Sequence, residues 1–161
     1  MNKSNISTTK KKILDMLENN NNNNNNLTKE DIDLWATKLT EEDNFPHYLE
    51  NKNLEIIQQE IKNICFRENI SHQIQDISNK LKEYRYVDKI CDLFRGRFVR
   101  WIRLPAGSMT KGGIVADIKF LENGTYILVK NSLNRFIQYK YDECITFQKL
   151  SVDELFFLSI S

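Results

Sequence analysis

Apolar residues recur along the chain with two periods, first helical and then alternating. Leu54, Ile57, Ile61, Ile64 and Cys65 fall three and four apart, which predicts an amphipathic helix over 54–66. The same spacing runs on through Ile74, Ile77, Leu81, Tyr84, Val87, Ile90 and Phe94, and Gly96 stands where a helix stop is expected. A second helix is therefore predicted over 71–94, joined to the first by "RENIS" as a helical hairpin. Its stripe is long enough to serve either packing within the chain or a helix-mediated dimer of coiled-coil type. Upstream, Thr28 is a good N-cap, Leu27 and Ile32 are spaced as a hydrophobic staple, and Pro46 closes the segment, so a short helix is predicted over 28–40.

After Gly96 the period changes to two. In "GGIVADIKFLENGTYILVK", Asn123-Gly124 is the preferred pair for a two-residue type I′ hairpin turn, which sets Phe120 opposite Ile127, Ile118 opposite Val129, Asp117 opposite Lys130 and Lys119 opposite Leu128. Ile114, Ala116, Ile118 and Phe120 then share one apolar face. Tight turns at "NSLNR" and Asp142-Glu143 complete five expected strands, at 97–104, 113–121, 125–131, 135–141 and 144–149. Five short strands with tight turns are the make-up of a small SH3-like or OB-like antiparallel barrel, and the SH3-like form is the expectation. In "LSVDELFFLSI", Ser151 with Glu154 and Leu150 with Leu155 predict a short C-terminal helix that caps the barrel. The expected fold class is thus α+β: a helical N-terminal segment at 27–94, then a five-stranded barrel with its capping helix at 95–161.

Composition adds a tail and a charge asymmetry. Asn19 to Asn26 is an unbroken asparagine run behind a Lys-rich start, and such residues bring too little apolar area to offset the entropy of ordering, so 1–26 reads as a disordered arm. The 161-residue chain carries a net charge of +1, but residues 95–149 hold ten Lys/Arg against four Asp/Glu, while residues 1–94 hold thirteen against sixteen. The positive charge belongs to the strand-rich segment. Three widely spaced cysteines, Cys65, Cys91 and Cys144, offer neither a disulfide framework nor a metal pair and suit a reducing compartment; they read as small core or near-core residues. No apolar run is long enough to span a bilayer and no signal-like segment follows Met1. The expectation is an unsecreted, intracellular chain with no membrane partner.

Enzyme chemistry finds little to work with. The two histidines, His47 and His72, are not brought by any pattern to a cysteine or serine, and no phosphate loop, nucleophile elbow or zinc helix is present. Asp142-Glu143 are neighbours on a turn and are expected to point into water. No catalytic residue, metal site, cofactor or small-molecule substrate is assigned. What remains is "GRFVRWIRLPAGSMTKGG", where basic and aromatic residues interleave. As a nucleic-acid surface it would use Trp101 as a stacking platform, with Arg97, Arg100, Arg103, Lys111 and Arg135 around it and the loop glycines allowing close approach to phosphate. As plain structure, Trp101 packs inward and the arginines form a solvated rim.

The run "FRGRFVRWIRL", then "GGIV", the hairpin, "RFIQYKY" and "ITFQKLS", over about residues 94–151, resembles small, largely uncharacterised proteins of amoeba-infecting giant DNA viruses of the mimivirus type. The asparagine run and the Ile, Lys and Asn usage fit both such viruses and their amoebal hosts. The resemblance implies a viral structural or accessory protein, in the virion or the host cytoplasm or nucleus. Two functions follow as expectations. The first is a non-catalytic binding or assembly module that docks a protein partner or self-associates through its helices. The alternative is a nucleic-acid-binding module centred on Trp101.

Overall fold

The structure, a computed structural model, describes residues 47–105 and 107–160. The predicted helix over 28–40 and the asparagine-rich arm lie outside the described residues. The described chain divides into two units. Residues 54–151 form one of them, and the described part of the other consists of residues 47–53 and 152–160.

Within the larger unit, helix α1 (Leu54–Arg67) forms where its periodicity predicts, burying Ile57, Ile61, Ile64 and Cys65. The six-turn helix that should follow does not form. Residues Ser71–Gln73 make one 3-10 turn, α2 (Ile74–Lys80) is only seven residues long, and Tyr84–Tyr86 is a strand, β1. Five further strands follow: β2 (Phe98–Arg103), β3 (Gly113–Leu121), β4 (Gly124–Lys130), β5 (Phe136–Lys140) and β6 (Cys144–Lys149).

The helical pattern fails over 84–94 because β6 offers this segment a better partner than its own backbone. Tyr84, Arg85 and Tyr86 pair antiparallel with Lys149, Gln148 and Phe147, and the Val87 N–H donates to the Thr146 carbonyl at 2.9 Å. The fully buried Gln148 side chain then holds the peptide groups of Phe94 from both sides, accepting from its N–H at 3.0 Å and donating to its carbonyl at 2.8 Å. The Gln148 Oε1 also accepts from the buried Arg85 guanidinium at 3.1 Å, and Arg85 donates to the Asp92 carbonyl as well. Residues spaced like a helix stripe are thereby divided between two cores.

The strands form one antiparallel sheet in the order β1-β6-β2-β3-β4-β5. Among the described residues this sheet is open, with β1 and β5 as its two edges, and that overturns the five-stranded SH3-like barrel. On one face Ile61, Ile64, Cys65, Ile70, Ile77 and Leu81 from the helical segment pack on Tyr84, Ile102, Ile145 and Phe147. On the other, Val99, Trp101, Val115, Ile127, Val129 and Tyr139 form a second core closed by Val87 and Leu93. The sheet curls strongly around this second core. Flat, β2 and β5 would lie about 14 Å apart, three strand spacings, yet the rings of Trp101 and Tyr139 stack with centroids 4.2 Å apart.

The β3–β4 hairpin departs from its expected register. Phe120 faces Thr125, Lys119 faces Tyr126, Ile118 faces Ile127 and Asp117 faces Leu128. The loop is Glu122-Asn123 and only Gly124 has positive φ, at 137°, so the turn is not type I′. A distant group holds it there: the Asp142 carboxylate accepts the Thr125 N–H at 2.8 Å. A bulge between Val115 and Asp117 then reverses the inward face, burying Val115 opposite Val129 and leaving Ile114 outside.

In the smaller unit, α3 (Val152–Ser159) forms as expected, with Asp153 and Glu154 in its first turn. Glu154 is buried and accepts a hydrogen bond from the Tyr48 hydroxyl at 2.6 Å.

Candidate functional site

The structure does not gather the expected basic residues around an exposed Trp101. The indole is only 6% exposed, and one ring face is covered by Tyr139 at an interplanar angle of 12°. Tyr139 is itself locked by a hydrogen bond between its hydroxyl and Thr146 at 3.1 Å. Arg97 and Arg103 stand near opposite ends of β2. Arg97 donates to the Lys149 carbonyl at 3.0 Å and lies over the Phe94 ring, and Arg103 approaches Glu143 at 3.9 Å. Arg100 turns to the opposite face from Trp101 and donates through Nε to the Thr110 carbonyl at 2.9 Å. Lys111 is exposed in the loop before β3, and Arg135 is exposed in the β4–β5 turn.

The glycine-rich loop serves the sheet itself. Thr110 donates its N–H to the Trp101 carbonyl at 3.0 Å and accepts the Trp101 N–H on its hydroxyl at 3.2 Å. Gly112 has φ +77°, and a Cβ there would overlap the Val99 carbonyl oxygen. The close approach expected for phosphate is made instead by β2. Asp142 and Glu143 likewise do not simply face water: Asp142 holds the hairpin, and Glu143 lies 3.6 Å from Lys140 as well as near Arg103. Cys91 is exposed, since the helix that would have carried it inward is not formed, whereas Cys65 is buried.

A different surface emerges from the observed register. Helices α1 and α2 cover the sheet over β1, β6 and β2, and among the described residues the core beneath them includes none from β3, β4 or β5. Over those three strands the outer face carries three cross-strand rows: Ile114, Lys130 and Phe136; then Asp117, Leu128 and Gln138; then Lys119, Tyr126 and Lys140. Phe136 is 62% exposed, Ile114 48% and Leu121, at the end of the face, 54%. Asp117 is neutralised by Arg95 at 2.9 Å. Lys119 and Lys130 are exposed and meet no carboxylate among the described residues. The Tyr126 hydroxyl accepts from the Asn123 side chain at 2.9 Å, which steadies its ring.

This face continues into a cleft of about 430 Å³ along β5, the edge strand of the sheet among the described residues. Ile137, Gln138, Tyr139 and Lys140, four consecutive residues, line one wall, so the cleft follows the strand edge; Trp101, Arg103, Glu143 and Cys144 line the other, and it reaches Tyr126. Burial pushes the Cys144 thiol up to about 11, against a smaller opposing pull from Arg103. That direction is away from a nucleophilic thiolate.

Tyr126, Phe136, Lys119, Lys130 and Lys140 did not stand out as a set in the sequence. Their signal was the outward half of the alternation in "DIKFLENGTYILVK" and "FIQYK", but the turn-based register set Lys119 opposite Leu128 instead of Tyr126. In comparisons with known proteins, no family model, curated protein or solved structure matches the chain.

Proposed function

We propose that the chain is a non-catalytic binding module whose docking surface is the outer face of β3–β5 together with the adjoining edge cleft. The observation that carries this reading is the outer face itself, which among the described residues lies outside the core beneath the helices. Strands β3 to β5 expose Ile114, Leu121 and Phe136 where solvent-facing positions are ordinarily polar. Beside them β5 is, among the described residues, an edge strand, and the outward backbone groups of an edge strand are of the kind partners use. The raised thiols of Cys65 and Cys144 support a role without nucleophilic chemistry. Among the described residues no helix is long and apolar enough to cross a membrane. With the likeness of residues 94–151 to giant-virus proteins, the reading becomes that of an accessory or structural protein.

A variant carrying Ile114→Thr, Leu121→Thr and Phe136→Thr tests it. The substitutions keep β-propensity and remove exposed apolar area, so stability should stay within about 1–2 kcal/mol of the parent in urea denaturation. Association, measured by sedimentation of the chain alone and with added oligonucleotide, should be lost. A much larger loss of stability would show that these side chains serve the core and would sink the docking surface.

A further inference from the structure

We propose that the outer face of β3–β5 binds a single strand of nucleic acid, with bases stacking on Phe136 and Tyr126 and phosphates meeting Lys119 and Lys130. The proposal rests on reading that face as the docking surface and names its occupant.

Charge selects the partner class. Lys119 and Lys130 are exposed without carboxylate partners among the described residues, and the face's acidic residue, Asp117, is already paired with Arg95. The surface therefore has a positive surplus that a polyanion neutralises. A protein partner fits less well, since lysine is depleted from the desolvated centres of protein interfaces, and here lysines sit within the apolar rows.

Ring placement selects a single strand. Phe136 shares a row with Lys130, and Tyr126 lies in the row between Lys119 and Lys140, so each ring has a cation beside it. The two rows are four residues apart along β5, about 13 Å at strand rise, with Leu128 and Gln138 between them. Rings held on a pleated sheet lose little freedom on binding and present flat faces to bases. Only unpaired bases can be splayed onto such faces, because a duplex keeps its base faces stacked internally. Gln138 is exposed between the rings and offers both a donor and an acceptor to a base edge.

The experiment is fluorescence anisotropy of the full chain with labelled single-stranded RNA, single-stranded DNA and a duplex of equal length, across a salt series. Either single strand should bind more tightly than the duplex, and the tighter arm names the preferred sugar. Affinity should fall with salt, and Lys119→Gln or Lys130→Gln should each reduce the log–log slope by roughly 0.7, the value for one phosphate contact on a single strand. Phe136→Ala should weaken binding about 5- to 150-fold, the range of one lost stacking contact, and Phe136→Tyr should restore it. Lys62→Gln on the exposed side of α1 should change neither. Duplex preference, or parent-like affinity in Phe136→Ala, overturns the proposal. If no strand binds but the parent self-associates in sedimentation and Phe136→Ala does not, nucleic acid is the wrong occupant and the docking surface stands. If the parent shows neither behaviour, both readings fall.

Discussion

Trp101 shows how far a single residue can be read before its neighbours are known. On β2 it alternates with Arg100 and Arg103, so composition alone leaves open whether its indole faces solvent or core. Tyr139 decides the matter by stacking on it from a strand 38 positions later in the chain, a contact that local pattern cannot reveal. The indole is a wall between the second core and the edge cleft, and its worth is mechanical. Trp101→Ala removes a large buried ring and leaves Tyr139 without its partner, so it should cost about 3–5 kcal/mol of stability in urea denaturation. Trp101→Phe should recover much of the loss. A parent-like midpoint for Trp101→Ala would mean that the ring is not held in the core, and the exposed-platform reading would return.

At the scale of elements, the places where the sequence reads well and badly separate by the origin of the information. Helix α1 and strands β2 to β6 lie within a residue or two of their expected positions because their periodicity is local and unambiguous. Residues 71–94 depart from the helix their pattern predicts because apolar positions three apart satisfy a helix stripe as well as a strand whose flanks turn to opposite cores. The decision between them lies in Gln148 and Thr146, more than fifty residues away. The hairpin register failed in the same way, since Asp142 fixes the turn that Asn123-Gly124 alone would make differently. Gly112 carries the opposite lesson. Its place before β3 was visible, but only the structure shows that β2 crosses it at backbone distance with φ in the left-handed region. Gly112→Ala should therefore destabilise by roughly 1–3 kcal/mol through the unfavourable φ, with the overlap against Val99 adding to it. Urea denaturation measures the cost, and slower-protected amides in the Gly113–Val99 pairing should become faster in hydrogen exchange. An alanine variant as stable as the parent would show that the loop relaxes without help from glycine.

Taken over the larger unit as a whole, burial acts on four phenols and two thiols in one direction, and this gives the fold a pH signature. Desolvation raises the phenols of Tyr84, Tyr86, Tyr139 and Tyr141 above their ordinary 10.0 and the thiols of Cys65 and Cys144 above 9.0, with Cys144 at about 11. In the unfolded chain these groups ionise near their ordinary values, while in the folded chain they keep their protons to higher pH. Above about pH 9 the native state thus binds more protons than the unfolded state, and stability falls as pH rises. Below that point their contribution is fully present and flat. Tyr139 is the sharpest probe, because burial raises it strongly while its hydroxyl is tied to Thr146. Tyr139→Phe should lower stability at neutral pH by about 1 kcal/mol through the lost hydrogen bond, yet flatten the decline between about pH 9 and 11. Urea midpoints taken across that range separate the two effects, since one shifts the whole curve and the other changes its slope. If the parent and Tyr139→Phe decline in parallel, the buried phenol is not what makes the curled sheet sensitive to alkali.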